Sequence, residues 1–316
     1  MATLSFPDQP SPVADAEAIR NACKGWGTNE KSLIGIIGHR NWVQRKLIKK
    51  AYEEQYQEDL VKCLEKELSG DLEKAVYRWM LDPEDRDAVL LHVAIKQGTV
   101  PDYRVIIELS CIYSPEEFLG VKRAYQARYK RSFEEDLAQH STAEFRRLLV
   151  PLAGVYRYGG NEIDAKLAQA EAEILHGAIK KKEFGHEEIV RILSTRSKSQ
   201  LIATFNRYKD EHGCSITKHL KEDSANKYQT ALRATIRCVT DSQKYYEKVI
   251  RQALAKSGTD EDALTRVIVT RAEKDLREIK ELYFKRNSVT LEQAVAKETS
   301  GHYQAFLLTL LGKPDQ

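Results

Sequence analysis

Two short stretches, far apart in the chain, place a glycine turn directly before an apolar segment. They are KGWGTNE at residues 24–30 and AKSGT at residues 255–259. The second residue of each stretch is followed 42 residues later by a glutamate, Glu67 in one case and Glu298 in the other. A tight glycine turn can aim several carbonyl oxygens at one point, and Ca²⁺ takes about six to eight oxygen ligands, including carbonyls and carboxylates. The pairing of turn and glutamate therefore favours a hard cation.

A glycine turn that leads into a helix could instead hold a phosphate group. The P-loop requires lysine and then serine or threonine after its last glycine, and neither turn offers that order. Trp26, a large aromatic residue inside the first turn, also fits a phosphate cradle poorly. A few carbonyls and one carboxylate leave calcium coordination open. We therefore expect an external anion, such as a lipid phosphate, to complete the ligand shell of the metal.

The chain repeats a common pattern four times. Each anchor residue is followed 12 residues later by a tyrosine and 20 residues later by an apolar residue. The four sets are Arg40, Tyr52 and Leu60; Tyr113, Tyr125 and Phe133; Arg196, Tyr208 and Ile216; and Arg271, Tyr283 and Leu291. Apolar residues recur at helical spacing within each unit, and strand-like alternation is absent over any useful length. The sequence therefore predicts an all-α protein of four modules with about five helices each.

Turn signals and the repeat register set the predicted boundaries. A short extended tail of residues 1–12 precedes modules at residues 13–82, 83–155, 156–241 and 242–316. The third range includes a preceding linker, in which Gly159 and Gly160 mark a joint between the two halves of the chain. Modules of this size bury only a modest core alone, so we expect them to pack against one another.

Composition narrows the classes of function. The chain has 316 residues and a net charge of +3, which is too small to indicate a nucleic-acid partner. No apolar run is long enough to predict a membrane span, and the N-terminal residues lack the pattern of a secretory signal. The five cysteines are scattered and form no CxxC pair, so a zinc site or a thioredoxin-type motif is not expected. These features favour a reduced, cytoplasmic chain.

The repeats and both turns resemble those of annexins, and the resemblance covers nearly the whole chain. It is carried by Gly25-Trp26-Gly27-Thr28 with Glu67, by Ser257-Gly258-Thr259 with Glu298, and by the four repeat cores. The short tail and Trp26 make the chain most similar to a plant annexin. The resemblance implies a curved, all-helical disc with a central hydrophilic channel, whose convex-face loops dock onto acidic phospholipid through bridging Ca²⁺. It also implies a monomer in solution that moves to membranes when calcium rises.

The resemblance implies three turn carbonyls and one carboxylate as ligands at each of two sites. The first site would use the carbonyls of Cys23, Gly25 and Gly27 with the carboxylate of Glu67. The fourth module would use the carbonyls of Leu254, Lys256 and Gly258 with the carboxylate of Glu298. Minor sites beside the main ones would pair Thr28 with Glu30 and Thr259 with Glu261. Because Lys256 replaces the first glycine of the family pattern, we expect the fourth module to bind calcium more weakly than the first.

Modules two and three depart further from the family pattern. In module two, Val100 and Pro101 stand where glycine and threonine are wanted, and His140 replaces the acid. Module three has no Gly-Thr turn, although Asp223 remains in the carboxylate position. The sequence therefore supports calcium sites in two modules of the four.

Two features near the turns predict direct contact with lipid. Lys180, Lys181 and Lys182 would lie on the same face as the calcium turns and contact lipid phosphate without an ion. The alternative is an ordinary solvated run of charge. Trp26 lies between two turn glycines, so we expect it to insert at headgroup depth. The alternative is a residue of the core.

Other residues suggest rival activities. Plant members of the resembled family have been discussed as peroxidases through a histidine near His39, but a lone helical histidine is commonly structural. Cys111 and Cys238 match positions that the resemblance associates with redox chemistry, whereas buried single thiols are often inert. Asp87, Glu108 and Arg271 match positions that line the family's hydrophilic channel, although Tyr113 replaces the usual arginine and breaks that charge network on one side.

The function predicted from the sequence is calcium-dependent binding to acidic phospholipid through modules one and four. The rivals are a peroxidase or nucleotide hydrolase, a calcium-permeable channel, and a calcium-independent helical scaffold of the HEAT or armadillo kind. We do not expect an enzyme. Residues 190–192, Val-Arg-Ile, match an actin-binding signature proposed for plant annexins, but three residues carry almost no specificity.

Overall fold

A computed structural model describes residues 1–24, 27–96, 101–154, 156–220, 226–255 and 258–312. Within these ranges the secondary structure consists of twenty α-helices, without a strand. Five helices fall in each repeat, so the prediction of an all-α protein built from four five-helix modules is confirmed.

The helices follow one another in the same order in every module. Module one holds α1 (Pro12–Cys23), α2 (Glu30–Ile37), α3 (Trp42–Tyr56), α4 (Leu60–Glu67) and α5 (Gly70–Met80). Module two holds α6 (Pro83–Lys96), α7 (Tyr103–Ile112), α8 (Pro115–Tyr129), α9 (Phe133–His140) and α10 (Ala143–Gly154). Module three holds α11 (Ala165–Lys180), α12 (Glu187–Thr195), α13 (Lys198–His212), α14 (Ile216–His219) and α15 (Lys227–Thr240). Module four holds α16 (Ser242–Leu254), α17 (Glu261–Arg271), α18 (Leu276–Asn287), α19 (Leu291–Glu298) and α20 (Gly301–Leu310).

In modules one, two and three, the N-cap residue of the third helix directly follows the anchor residue. Asn41, Ser114 and Ser197 are the N-cap residues of α3, α8 and α13. Each side chain accepts a hydrogen bond from the backbone N–H three residues further on. Such caps satisfy donors that the start of a helix leaves unpaired. The fixed distance from anchor to tyrosine in the sequence therefore reflects a helix that starts at the same place in these three modules.

The repeated tyrosines and the apolar residues eight positions later form the module cores. The tyrosines lie in the third helices and are at most 5% exposed: Tyr52, Tyr125, Tyr208 and Tyr283. The apolar residues are the first residues of the fourth helices and are at most 3% exposed: Leu60, Phe133, Ile216 and Leu291. Burial of one such side chain contributes about 1.5–3 kcal/mol. Both repeated positions therefore hold the helices of a module together.

The chain divides into two compact units, Met1–Arg86 with Tyr246–Gln316, and Asp87–Tyr245. The first unit contains modules one and four, which are joined by a buried charge. Arg45 of α3 is 1% exposed, its guanidinium lies 3.5 Å from the ring centroid of Trp79, and it pairs with Glu273 at 2.9 Å. The indole N–H of Trp79 donates to the Ile37 carbonyl at 2.8 Å. These contacts fix α3, α5 and the start of the α17–α18 connection as one core.

The N-terminal residues of the first unit lie against both of its modules. The backbone N–H of Thr3 donates to the Ala272 carbonyl at 2.9 Å, and the Thr3 hydroxyl donates to the Leu310 carbonyl at 2.6 Å. In module one, the Gln44 side chain donates to the Pro7 carbonyl at 2.7 Å. The extended tail is therefore a packed part of this unit.

The second unit contains modules two and three, in which α7 packs against α15 and α11 packs along α13. The hydroxyl of Tyr113 donates to Asp87 at 2.6 Å, and Asp87 is 1% exposed. The linker before module three is tied down by Arg157, which donates to the Leu193 carbonyl at 2.8 Å. Tyrosine thus supplies a neutral hydrogen bond to Asp87 where the family pattern has arginine.

Candidate metal site

The turn between α1 and α2 is held at both of its ends. Gly27 has a φ of +97°, in the left-handed region that favours glycine. The backbone N–H of Asn29, the N-cap residue of α2, donates to the Ala22 carbonyl at 2.8 Å. The hydroxyl of Thr28 donates to Oε2 of Glu67 at 3.1 Å. The turn is therefore tied to α1 on one side and to the predicted glutamate on the other.

The described residues of the turn between α16 and α17 are held by equivalent contacts. Gly258 has a φ of +95°. The backbone N–H of Asp260, the N-cap residue of α17, donates to the Ala253 carbonyl at 3.0 Å. The hydroxyl of Thr259 donates to the backbone carbonyl of Glu298 at 3.1 Å. The equal sequence spacing of turn and glutamate thus corresponds to contact in both modules.

Both glutamates end a helix, since Glu67 closes α4 and Glu298 closes α19. The last carbonyls of a helix lack intrahelical partners and carry partial negative charge. In both modules a serine and then a glycine of positive φ follow two residues later, with Gly70 at +65° and Gly301 at +62°. Each glutamate therefore sits at a sharp corner that combines a carboxylate with the negative end of a helix dipole, which favours a cation.

A cavity of about 600 Å³ lies between residues of modules one and four. Five carboxylate side chains line it: Glu30, Glu67, Asp71, Glu261 and Glu298. Lysine and histidine are also present in the lining. Lys297 lies 3.5 Å from Glu298, and Nε2 of His302 lies 3.8 Å from Glu30. Because carboxylates outnumber these groups, the cavity attracts cations.

Burial raises the pKa of two side chains near the turns, the Cys23 thiol and the Tyr303 hydroxyl. Burial raises the pKa of the Cys23 thiol to about 12, and the neighbouring Cys63 and Glu67 add to the effect. The Cys23 thiol therefore keeps its proton at neutral pH. At the back of the cavity, burial raises the pKa of Tyr303, whose hydroxyl donates to the Glu261 carbonyl at 3.2 Å.

The other two modules present different groups at the equivalent positions. In module two, Nε2 of His140 lies 3.0 Å from Nζ of Lys96, and Nδ1 lies 2.8 Å from the Asp136 carbonyl. An imidazole beside an ammonium group is a poor cation site. In module three, Lys180, Lys181 and Lys182 are exposed at the end of α11, and Lys182 has a φ of +61°.

Several residues that the sequence singles out lie outside the described part of the chain: Gly25, Trp26, Val100, Asp223, Lys256 and Ser257. Among the described candidate ligands, Cys23 is the last residue of α1 and Leu254 is the last residue of α16. Their carbonyls therefore stand where the two turns begin. The carboxylates of the predicted minor sites, Glu30 and Glu261, are the first residues of α2 and α17 and line the cavity.

The four modules coincide with four matches to the repeat of one known protein family. The annexin family model matches residues 14–79, 86–152, 170–235 and 245–310. The chain belongs to the annexin family. It is 66% identical over 315 residues to annexin-like protein RJ4 of Fragaria ananassa, and the match covers 100% of both chains. The resemblance to a plant annexin is confirmed.

Solved structures agree with this assignment. Annexin III has a TM-score of 0.91 and 31% sequence identity, over 100% of this annexin and 98% of that chain. A calcium-bound annexin (Sm)1 has a TM-score of 0.83 and 27% identity, over 99% of this annexin and 93% of that chain. No helix within the described ranges combines the length and the apolar character needed to cross a bilayer.

Two features that suggested rival activities, His39 and the Val-Arg-Ile triplet, make structural contacts in this annexin. His39 follows α2, and its Nδ1 lies 3.0 Å from the Ser5 carbonyl, so the ring helps to hold the N-terminal tail. In the Val-Arg-Ile triplet, Val190 and Ile192 are buried in α12, whereas Arg191 pairs with Glu188 at 2.6 Å. A partner such as actin could not reach the two apolar side chains without opening the module.

The predicted channel and redox residues are buried. In the second unit, Asp87 and Glu108 are each 1% exposed. In the first unit, Arg271 is 6% exposed and pairs with Asp275 at 2.7 Å. Cys111 and Cys238 are buried thiols on the packed helices α7 and α15, and burial raises the pKa of Cys111. Burial at these positions is consistent with a structural role in packing as well as with a role in conduction or redox chemistry.

The cavity also contains residues that the sequence reasoning missed. They are Leu68, Ser69, Asp71, Leu72, Lys297, Thr299, Ser300, His302 and Tyr303. The signal that would have found most of them is a second match between modules one and four, because ELSGD at residues 67–71 aligns with ETSGH at residues 298–302. A repeated Ser-Gly corner directly after each candidate carboxylate marks a shared loop geometry.

Proposed function

We propose that this annexin binds acidic phospholipid membranes in a Ca²⁺-dependent manner through the convex-face turns of modules one and four. Membership of the annexin family supports calcium-dependent phospholipid binding in general. The observation that carries the assignment to these two modules is their matched turn geometry beside one carboxylate-rich cavity. In solution we expect a monomer that moves to the membrane surface when calcium rises.

The donor set of each turn suits calcium. Backbone carbonyls, a threonine hydroxyl and a glutamate supply only oxygen atoms, which are the ligands that Ca²⁺ prefers. Gly27 and Gly258 are exposed, so coordination positions beside them are open to solvent or to a phosphate. A lipid headgroup that occupies these positions would join the protein to the membrane through the ion.

The first module should hold calcium more tightly than the fourth. Oε2 of Glu67 accepts a hydrogen bond from Thr28, a neutral donor that orients the carboxylate. Glu298 instead has the ammonium group of Lys297 at 3.5 Å, which offsets part of its charge. In the sequence, Lys256 adds a second positive charge to the turn of module four. Both lysines oppose a divalent cation there.

Vesicle sedimentation tests this proposal. The full chain is mixed with vesicles of phosphatidylserine and phosphatidylcholine, with calcium or with a chelator, for wild type, Glu67→Gln and Glu298→Gln. At physiological ionic strength, where binding by exposed lysines is screened, we expect sedimentation only with calcium. We expect a larger increase in the calcium needed for half-maximal binding in Glu67→Gln than in Glu298→Gln. A matched control is Glu65→Gln, which lies two residues earlier on α4 and outside the cavity lining. Wild-type calcium dependence in the double variant Glu67→Gln, Glu298→Gln would refute the assignment.

A second candidate activity is calcium-free binding to anionic lipid through module three. Lys180, Lys181 and Lys182 are exposed together where α11 ends. Each lysine near an anionic surface contributes about 1 kcal/mol. We expect a triple Lys→Glu variant to lose the binding that persists in chelator at low salt, whereas Lys50→Glu on α3 serves as a control for one exposed lysine. Unchanged calcium-free binding would show that the cluster is an ordinary solvated run of charge.

A further inference from the structure

Three potential metal ligands converge where α11 and α13 pack in the second unit. One carboxylate oxygen of Glu173, one of Glu211 and a ring nitrogen of His212 all lie within 4.8 Å of one another. Glu173 lies in the middle of α11, whereas Glu211 and His212 are the last two residues of α13. Nε2 of His212 is 3.5 Å from Oε1 of Glu173. This trio, here called the α11–α13 cluster, belongs to module three and contains no residue of the calcium turns.

The imidazole of His212 is fixed in position by its neighbours. Its ring stacks on that of His176, with centroids 3.6 Å apart and planes 8° from parallel. The ring of Tyr208 packs edge-on against it at 4.9 Å. One stacked contact and one edge contact leave the ring little freedom to turn. The direction of Nε2 toward the glutamates is therefore set by packing, and a metal site built on it would be preorganised.

Nε2 of His212 is also a buried polar atom that has no hydrogen-bond partner among the described residues. The nearest carboxylate oxygen, at 3.5 Å, is at the outer limit of a hydrogen bond. Buried polar atoms are commonly satisfied, and one that is not calls for an explanation such as an ion. A cation between His212 and the two glutamates would satisfy this nitrogen and neutralise the adjacent carboxylates.

The donor set selects the kind of cation. One imidazole nitrogen with two carboxylate oxygens suits Zn²⁺ and similar transition metals, whereas Ca²⁺ takes oxygen ligands. Arg207 pairs with one oxygen of Glu211 at 2.8 Å. Because a carboxylate has two oxygens, this pair can orient the group while the second oxygen faces an ion. A water molecule would supply the remaining position of a tetrahedral site.

The position of His212 is distinctive among the four modules. Four residues after the repeated tyrosine stand Tyr56, Tyr129, His212 and Asn287. Only the histidine among these is a common ligand for zinc. The residues before it are Gln55, Arg128, Glu211 and Arg286, of which only the glutamate is a carboxylate. The α11–α13 cluster is thus confined to module three by the sequence.

We propose that the α11–α13 cluster of Glu173, Glu211 and His212 binds one Zn²⁺ ion, separately from the calcium turns. The ion joins the middle of α11 to the end of α13, so it braces module three. Binding needs no lipid and does not depend on the function proposed for modules one and four.

Isothermal titration of the full chain with Zn²⁺, in buffer that contains millimolar Ca²⁺ to saturate the calcium turns, tests the proposal. We expect a zinc site in wild type that weakens by at least about tenfold in Glu173→Gln and in His212→Asn, since each change removes a ligand. Glu17→Gln on α1, an exposed glutamate in module one, is the matched control and should bind zinc as wild type does. Glu173 is exposed, so its variant tests the site even where His212→Asn loses stability.

The neighbouring residues Cys214 and His219 form an alternative candidate for zinc binding and so provide a control. Sγ of Cys214 lies 3.0 Å from Nε2 of His219, and both could bind zinc without the glutamates. We expect Cys214→Ser to keep the wild-type zinc affinity. Equal zinc binding by wild type and Glu173→Gln, or loss of the site in Cys214→Ser alone, would overturn the proposal. Displacement of the zinc by millimolar Ca²⁺ would overturn it as well.

Discussion

Replacement of Gly27 by alanine tests whether the left-handed turn is what holds calcium. Gly27 has a φ of +97°, and a Cβ built on it would meet no atom of the described residues within 4 Å. The substitution therefore causes no clash, and its whole cost is the backbone strain of a side chain at positive φ. This separates the effect of turn conformation from that of packing.

The size of the effect follows from that strain. A residue other than glycine in this region costs about 1–3 kcal/mol. If the turn keeps its shape, the cost appears as lower stability. If the turn relaxes to negative φ, the carbonyls no longer converge and the cost appears as weaker calcium binding. Because 1–2 kcal/mol corresponds to about a 5- to 30-fold change in an equilibrium constant, either result is measurable.

Urea unfolding with and without calcium, together with vesicle sedimentation, separates these outcomes. We expect Gly27→Ala to lower the stabilisation that calcium gives the wild type, and to raise the calcium needed for half-maximal sedimentation. Gly177→Ala is the control, since Gly177 lies inside α11 with open space around it. Replacing a glycine inside a helix with alanine raises the free energy of unfolding by about 0.5–1 kcal/mol. Wild-type stability and calcium dependence in Gly27→Ala would refute the role of the turn.

Three further predictions concern groups that the structure brings together. Glu273→Ala should destabilise the protein by about 3–5 kcal/mol in urea unfolding, because Arg45 would remain buried without its ion-pair partner; a loss below 1 kcal/mol would show that the Trp79 contact suffices. Tyr113→Phe should cost about 1–3 kcal/mol by the same measurement, since buried Asp87 loses the Tyr113 hydroxyl. Thr28→Val should raise the calcium needed for half-maximal vesicle sedimentation, because Glu67 loses its orienting donor; an unchanged calcium dependence would make this hydrogen bond incidental.

The repeat register of the sequence was sufficient to predict the fold of each module. Spacing alone placed Tyr52 and Leu60 in equivalent roles with their counterparts, and both lie in the core of module one. This works because a helix that starts at a fixed cap repeats its buried face at fixed intervals. The same register aligned the two turns with Glu67 and Glu298, and contacts from Thr28 and Thr259 bear out that proximity.

The arrangement of the candidate site could not be predicted in the same way. Periodicity within a module does not specify which modules share a surface, so the cavity between modules one and four was not foreseen. Asp71 and Tyr303 line it although more than 200 residues separate them in the chain. The hydrogen bond between Tyr113 and Asp87 was not predicted either. The replacement of arginine by Tyr113 was expected only to break a charge network, whereas the tyrosine hydroxyl donates to Asp87.

On the proposed function, the sign of the cavity's charge makes calcium necessary for lipid binding through modules one and four. Carboxylates from both modules face the same space, so a lipid phosphate that approaches the bare protein meets repulsion. A divalent ion at Glu67 replaces this repulsion with attraction at the point where the phosphate must bind. The switch therefore requires no change of fold, because the bound ion itself supplies the missing charge. Such a mechanism predicts that neutralising Glu30 and Glu261 permits some sedimentation in chelator, although it weakens the calcium-dependent part.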